Sequence, residues 1–172
     1  AEQLDLFQPL DSPVLNARIP AQLRTPAATW FGFSTRARVI AYNRKTVRPE
    51  EVANYEDLAH PRFKGRLCIR ASNHVYNLSL MASMIERLGE AKAEEWARGV
   101  VANLARPPRG GDTDQLLGVG AGECDIAVVN TYYYVRLMKS ARPQDRQLIE
   151  RVAVSFPNQA SSGTHVNLSL IH

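Results

Sequence analysis

Apolar and polar residues alternate along "TWFGFSTRARVIAYN", over much of Phe33 to Tyr42, with the period of two that a half-buried strand requires. Arg36 and Arg38 share one face of that strand. Further along the period lengthens. In "VYNLSLMASMIERLG" apolar residues recur at Leu78, Met81, Ile85 and Leu88, and Gly89 supplies a stop, which predicts an amphipathic helix. A second helix, from about Ala91 to Leu104, presents Ala93, Trp96, Val100 and Leu104 at three- and four-residue spacing.

Between and around these segments the pattern is shorter. Residues 1–29 carry Pro9, Pro13, Pro20 and Pro26 with little periodicity, and read as an extended approach with one short helix. "RPEEVANYEDLAHPRFKGR" reads as short helices punctuated by Pro49 and Pro61. "RLCIR" and "CDIAVVN" are short apolar strands. "ARPPRGGDTDQLLGVGAG" is a loop followed by a short helix, with Asp112 or Thr113 as its cap. A helix follows from about Tyr133, then late strands in "RVAVSF" and "THVNLSL". Strands alternate with helices, which predicts an α/β fold: a layered sheet flanked by helices, with mainly right-handed crossovers. Ligands of such sheets collect outside the carboxyl ends of strands, beside helix N-termini. "RASNHVYN" and "NTYYY" both hold that position.

Composition narrows the function classes. At 172 residues, a chain of this length buries roughly 70% of the surface its unfolded form exposes, enough for a real core. No apolar run approaches the roughly 18 residues of a membrane span. Net charge is +4, but the 21 Lys and Arg are scattered, with no basic run interleaved with aromatics. That argues against nucleic acid as a partner and for a mild attraction of small anions. The start, "AEQLDLFQPLDSP", has neither a basic n-region nor an apolar h-region, consistent equally with a cytosolic protein and with a processed exported one. The two cysteines, Cys68 and Cys124, each sit in a short apolar strand signal. They read either as two buried thiols or as a pair, whose loop of nearly sixty residues would be worth about 4 kcal/mol in unfolded-state entropy.

The residues that carry chemistry are phenols. Where a strand bends into a helix the alternation of side chains is lost, so two neighbours among Tyr132, Tyr133 and Tyr134 can aim at one point. Tyr76 stands in the corresponding place after another strand. Phenolate oxygen is a hard donor suited to Fe(III). At neutral pH each phenol costs about 4 kcal/mol to ionise, so the cation must supply that energy. Arg36, Arg38, Arg70, the Ser72 hydroxyl and backbone N–H groups near Tyr76 are candidates to hold a small accompanying anion. The plain alternative for the tyrosines is packing, and for the arginines a solvated surface charge. His74 and Ser72 lack an orienting acid, "GVGAGEC" precedes a strand where a dinucleotide fingerprint would follow one, and the dispersed histidines suit no zinc site.

"WFGFSTRARVIAYN", "GRLCIRASNHVYN", "NTYYY" and "FPNQASSGTHVNLS", in this order and spacing, resemble the periplasmic ferric-ion-binding proteins of bacterial ABC-type iron importers, the bacterial transferrin group. The resemblance implies a non-enzymatic, periplasmic solute receptor that hands ferric ion to a membrane permease. It implies Tyr76, Tyr132 and Tyr133 as metal ligands, with Tyr134 left to packing. It also implies Arg36, with Arg70 and Ser72, around a synergistic anion such as carbonate, and a Cys68 to Cys124 disulfide suited to an oxidising compartment. Members of that family have two lobes of the type II periplasmic-binding-protein form, closing about a hinge. This chain resembles one of them, the C-terminal lobe. On that basis residues 1–29 are an approach segment, 30–156 the iron-binding lobe, and 157–172 a return hinge strand with a truncated tail. Ligands from a first lobe would then be missing, and the inner face left open would favour a homodimer. Two rival readings remain on the same fold: a lobe for a small oxyanion or organic ligand, and an interaction or regulatory module without ligand.

Overall fold

The computed structural model describes Leu4 and residues 6–171, the last four by backbone alone. Residues 1–3, Asp5 and His172, which the sequence assigns to the approach segment and the tail, lie outside the described residues. The chain divides into two compact units, Ala1–Arg36 with Val166–His172, and Ala37–His165.

In the first unit, α1 (Pro13–Arg18) starts on a proline, with Ser12 Oγ accepting from the Leu15 amide at 3.3 Å. A single turn at Ala21–Leu23 follows, and Arg24 bridges to Phe31 in antiparallel fashion.

The second unit is built on a mixed sheet. Strand β1 (Phe31–Asn43) enters it and lies between β3 (Ile126–Asn130) and β4 (Val152–Ser155), antiparallel to both. Strand β2 (Leu67–Cys68) is parallel to β3 at the sheet's edge, giving the order β2-β3-β1-β4, and β5 (Val166–Ile171) also pairs with β1. The alternation read from the sequence sorts side chains between two cores. Ile40, Tyr42, Ile126 and Val128 enter one cluster, with Leu58, Phe63, Leu80 and Met84. Val39, Ala41, Ala127 and Val129 enter the other, with Leu116, Val119, Leu137 and Ile149. Strand β3 is therefore buried along its whole length, which explains its unbroken apolar run.

Helices α2 (Val75–Leu88) and α3 (Glu90–Ala102) pack on the first cluster; α4 (Asp112–Ala121), α5 (Thr131–Met138) and α6 (Pro143–Ile149) serve the second. Gly89, at φ +79°, ends α2 as expected. The buried face of α2 differs from the expected one. Leu80 and Met84 are buried, with Met81 and Leu88 packed beside them, whereas Leu78 is 56% exposed and Ile85 37%. Two interleaved apolar stripes run along this helix, and contact with α3 and the sheet selects one. Helix α6 was not anticipated; its sequence is mostly polar and only Pro143 at its first position announces it. Asp112 is not the cap of α4. Gly111 holds the cap position and the Asp114 carboxylate accepts from its amide at 2.7 Å, leaving Asp112 free to face inward. Close helix packing depends on glycine at two points. A Cβ on Gly99 would lie 2.7 Å from Ala59 Cβ, and one on Gly120 would lie 2.6 Å from the Leu148 carbonyl oxygen.

Cys68, at the end of β2, is disulfide-bonded to Cys124, just ahead of β3, with Cα atoms 5.8 Å apart. The bond closes a separation of 56 residues, for which the chain-entropy model gives about 4 kcal/mol. The Cys68→Ala/Cys124→Ala protein is expected to lose stability of that order, read as a lower urea midpoint. Reduction of the unmodified protein should produce a drop of similar size.

Candidate metal centre

Two parallel neighbours, β2 and β3, each run out of the sheet toward a helix. After β2 a short turn leads to α2, capped by His74, whose Nδ1 accepts from the Tyr76 amide at 3.2 Å. After β3 the helix α5 begins at once, at Thr131. Tyr76 is thus the second residue of α2, and Tyr132 and Tyr133 the second and third of α5. Parallel strands put both helix starts at one edge of the sheet, and the phenols meet there. The hydroxyls of Tyr76 and Tyr132 are 3.5 Å apart, and the rings of Tyr132 and Tyr133 stand 4.1 Å between centroids at a tilt of 32°. All three are half-buried. Tyr134 turns elsewhere: its hydroxyl donates to the Val152 carbonyl at 3.2 Å and its ring packs in the second core cluster.

Cations flank these rings. The guanidinium carbons of Arg70 and Arg38 lie 5.2 and 5.6 Å from the centroid of the Tyr76 ring, and that of Arg136 lies 5.3 Å from the Tyr133 ring. Arg38 is wholly buried. Its Nη1 donates to Asp112 Oδ2 at 2.7 Å and its Nη2 to Asn77 Oδ1 at 2.7 Å. Arg70 Nη1 donates to the other oxygen of Asp112 at 3.0 Å. The Asn130 amide donates to Asp112 Oδ2 at 2.7 Å. Of the other residues anticipated from the sequence, Arg36 is half-buried on the part of β1 that belongs to the first unit. Ser72 is exposed in the turn before α2, at the rim of an apolar groove lined by Leu78, Met81 and Trp96. Sequence reasoning missed Asp112, Asn77 and Asn130. The signal was present in the two asparagines, both polar, Asn77 directly after Tyr76 in "HVYN" and Asn130 two residues before Tyr132 in "VVNTYYY".

Burial sets the acid–base character of the site. It pushes the Tyr132 phenol well above its ordinary range, with its neighbours Tyr133 and Tyr76 adding to the effect. It lowers the basicity of Arg38, an effect that the Asp112 carboxylate opposes. His74 is likewise lowered, by burial and then by Arg70. Among the described residues no three His, Cys, Asp or Glu side chains gather as they would around a metal. The phenols are the donor set on offer. Neighbouring donors on an octahedral ion with bonds of about 2 Å stand about 2.8 Å apart, so the Tyr76–Tyr132 hydroxyls, at 3.5 Å, need to close by about 0.7 Å to share an ion.

A half-buried site at the carboxyl ends of parallel strands, on a mixed sheet flanked by helices, defines one lobe of a periplasmic binding protein. The chain belongs to the bacterial extracellular solute-binding protein family, whose members are receptors rather than enzymes; the family matches residues 1–162. The iron uptake protein A1 of Synechocystis sp. is 48% identical over 169 residues, covering 98% of this chain and 47% of that protein. Among solved structures, the Trichodesmium protein IdiA (FutA), determined with iron and citrate ligands, superposes with a TM-score of 0.92 at 50% identity, over 98% of this chain and 54% of its own. A ferric binding protein from Campylobacter jejuni gives a TM-score of 0.92 at 43% identity with the same coverage, 98% and 54%. The chain thus spans about half the length of the relatives it matches.

Tyr55 supports the frame from behind. Its buried hydroxyl donates to the Arg38 carbonyl and accepts from the His165 amide at 3.2 Å, while His165 Nε2 lies 2.8 Å from Ser79 Oγ on α2. Tyr55→Phe leaves the buried Arg38 carbonyl and the part-buried His165 amide each short of that partner. It is expected to lower stability by about 1–3 kcal/mol, measured by denaturant unfolding.

Proposed function

We propose that this chain is a ferric-ion-binding lobe of a periplasmic solute receptor, delivering Fe(III) to the membrane permease of an ABC-type importer. Tyr76, Tyr132 and Tyr133 serve as phenolate ligands, and Arg36, Arg70 and Ser72 surround a small synergistic anion such as carbonate. The lobe is formed by residues 30–156, with 157–172 as its return hinge strand. The observation that carries this reading is the approach of the Tyr76 and Tyr132 hydroxyls to 3.5 Å, from helix starts 56 residues apart in sequence. Core filling by itself would not require two phenol oxygens from separate segments to face one another at this distance. Identity of 48% to an iron uptake protein supports the same conclusion. For the anion, Arg70 has the best support, because its guanidinium already flanks the Tyr76 ring. Arg36 and Ser72 rest on the family resemblance.

The chemistry follows from the donors. A phenol binds Fe(III) as phenolate, so each ligand must lose its proton to bind the metal. A trivalent ion offsets about 4 kcal/mol for each, and more for Tyr132. The flanking guanidinium groups limit the negative charge that three phenolates would accumulate, and leave a net attraction for an anion on the ion's open side.

Ferric citrate added to the purified chain is expected to produce an orange-red phenolate-to-iron charge-transfer band, lost in Tyr132→Phe/Tyr133→Phe. A colourless wild-type protein that nonetheless binds an oxyanion by calorimetry would replace this reading with the oxyanion-binding one. Proton release fixes the sign of the pH dependence: affinity falls as pH falls. With three phenols ionising, iron retention against a citrate competitor should drop by up to about three decades per pH unit below neutrality. A flat profile would remove the phenols from the ligand set.

A further inference from the structure

The two tyrosine-bearing helix starts meet only if something fixes their separation, because they belong to different segments and approach through the half-buried hydroxyls of Tyr76 and Tyr132. We propose that Asp112 is a positioning residue for the candidate iron site, its carboxylate holding both helix starts at the spacing one ferric ion needs. The inference rests on the ferric-binding reading given above.

Each oxygen of Asp112 reaches toward the tyrosines by a different route. Oδ2 accepts from the Asn130 amide at 2.7 Å, two residues before Tyr132, and so anchors the start of α5. The same oxygen accepts from Arg38 Nη1 at 2.7 Å, and Arg38 Nη2 donates to Asn77 Oδ1 at 2.7 Å, one residue after Tyr76. Oδ1 accepts from Arg70 Nη1 at 3.0 Å. Asn77 Nδ2 then closes the circuit by donating to the Arg70 and Ala71 carbonyls, both at 3.2 Å. One carboxylate at the first residue of α4 therefore ties together β1, the turn before α2, α2 itself and the end of β3.

Stability alone does not explain this arrangement. Arg38 and Asp112 are both 0% exposed, and apolar side chains of similar volume often stabilise such a position as well or better. Two guanidinium groups share one carboxylate, and the Nε atoms of both Arg38 and Arg70 are buried without a hydrogen-bond partner among the described residues. A network that leaves buried donors unmet, yet reaches both tyrosine-bearing segments, fits positioning better than fold maintenance. A ligand set must be held to within about half an ångström to bind its metal well. Loss of an outer partner of metal ligands typically costs about 10–100-fold in affinity.

The test uses the full chain with ferric citrate as probe. Asp112→Asn keeps the size and one acceptor but removes the charge that holds Arg38 and Arg70. It is expected to weaken iron binding about 10–100-fold and to shift or broaden the charge-transfer band. Gly99→Ala, which crowds α3 against Ala59 in the other core cluster, serves as a destabilised control that keeps the wild-type band. If Asp112→Asn does not fold, Arg38→Met/Asp112→Leu removes the buried pair together and should show the same loss of iron at near-normal stability. Iron binding and a band equal to wild type in the folded variants would overturn the inference. A crystal structure of the iron-free variant decides independently of iron: the Tyr76–Tyr132 hydroxyl separation must grow from 3.5 Å. An unchanged separation would overturn the positioning role. Failure of the wild-type protein itself to bind iron would instead count against the ferric reading.

Discussion

A carboxylate and a guanidinium removed entirely from water, Asp112 and Arg38, set the terms for everything around them. Neither charge can be left alone in such a place, since each would cost several kcal/mol without its partner. The pair therefore fixes where α4 begins, which face β1 turns toward it, and how the ends of β2 and β3 are dressed. Arg70, Asn77 and the Asn130 amide complete the shell. Polar groups that in another sheet would be solvated at the strand ends are here drawn inward, and the tyrosines are what remains at the rim.

The sheet makes this convergence possible. Strand β3 is buried on both faces, so its only polar residue, Asn130, sits at the carboxyl end where the core stops. Its parallel neighbour β2 ends at the same edge, and each is followed by a helix whose second residue is a tyrosine. The disulfide joins Cys68 at the end of β2 covalently to Cys124 just ahead of β3. A receptor of the extracellular solute-binding family needs such a rigid platform, because its ligand is held by side chains from separate segments and small displacements are costly.

The phenol cluster has the electrostatic character that the proposed trivalent cargo would need. Neutral phenols are tolerable when half-buried and unoccupied, which fixed carboxylates in the same place would not be without compensation. Flanking guanidinium groups become favourable once the phenols ionise. On the proposed reading, the same cations that would repel a bare metal ion favour an anionic complex of it.

By itself the sequence determined the strands and most helices. Their periodicity is a local property: the strand read over Phe33 to Tyr42 lies within β1, and Gly89 ended α2, whereas the burial of Val39 to Asn43 on both faces came from the two cores that close over the sheet. The motif of adjacent tyrosines after one strand, with Tyr76 after another, was legible for the same reason, since strand-to-helix junctions are local events. Tertiary structure decided what depended on neighbours. It chose Leu80 and Met84 rather than Leu78 and Ile85 as the buried face of α2, because either apolar stripe satisfies a helix and only the facing elements break the tie. It made a helix of the polar segment after Pro143. It turned Asp112 from an expected cap into the partner of two arginines, a contact between residues 74 positions apart that no local pattern encodes. Side-chain pairing across such separations depends on which strand ends coincide in space, and that is settled only when the sheet closes.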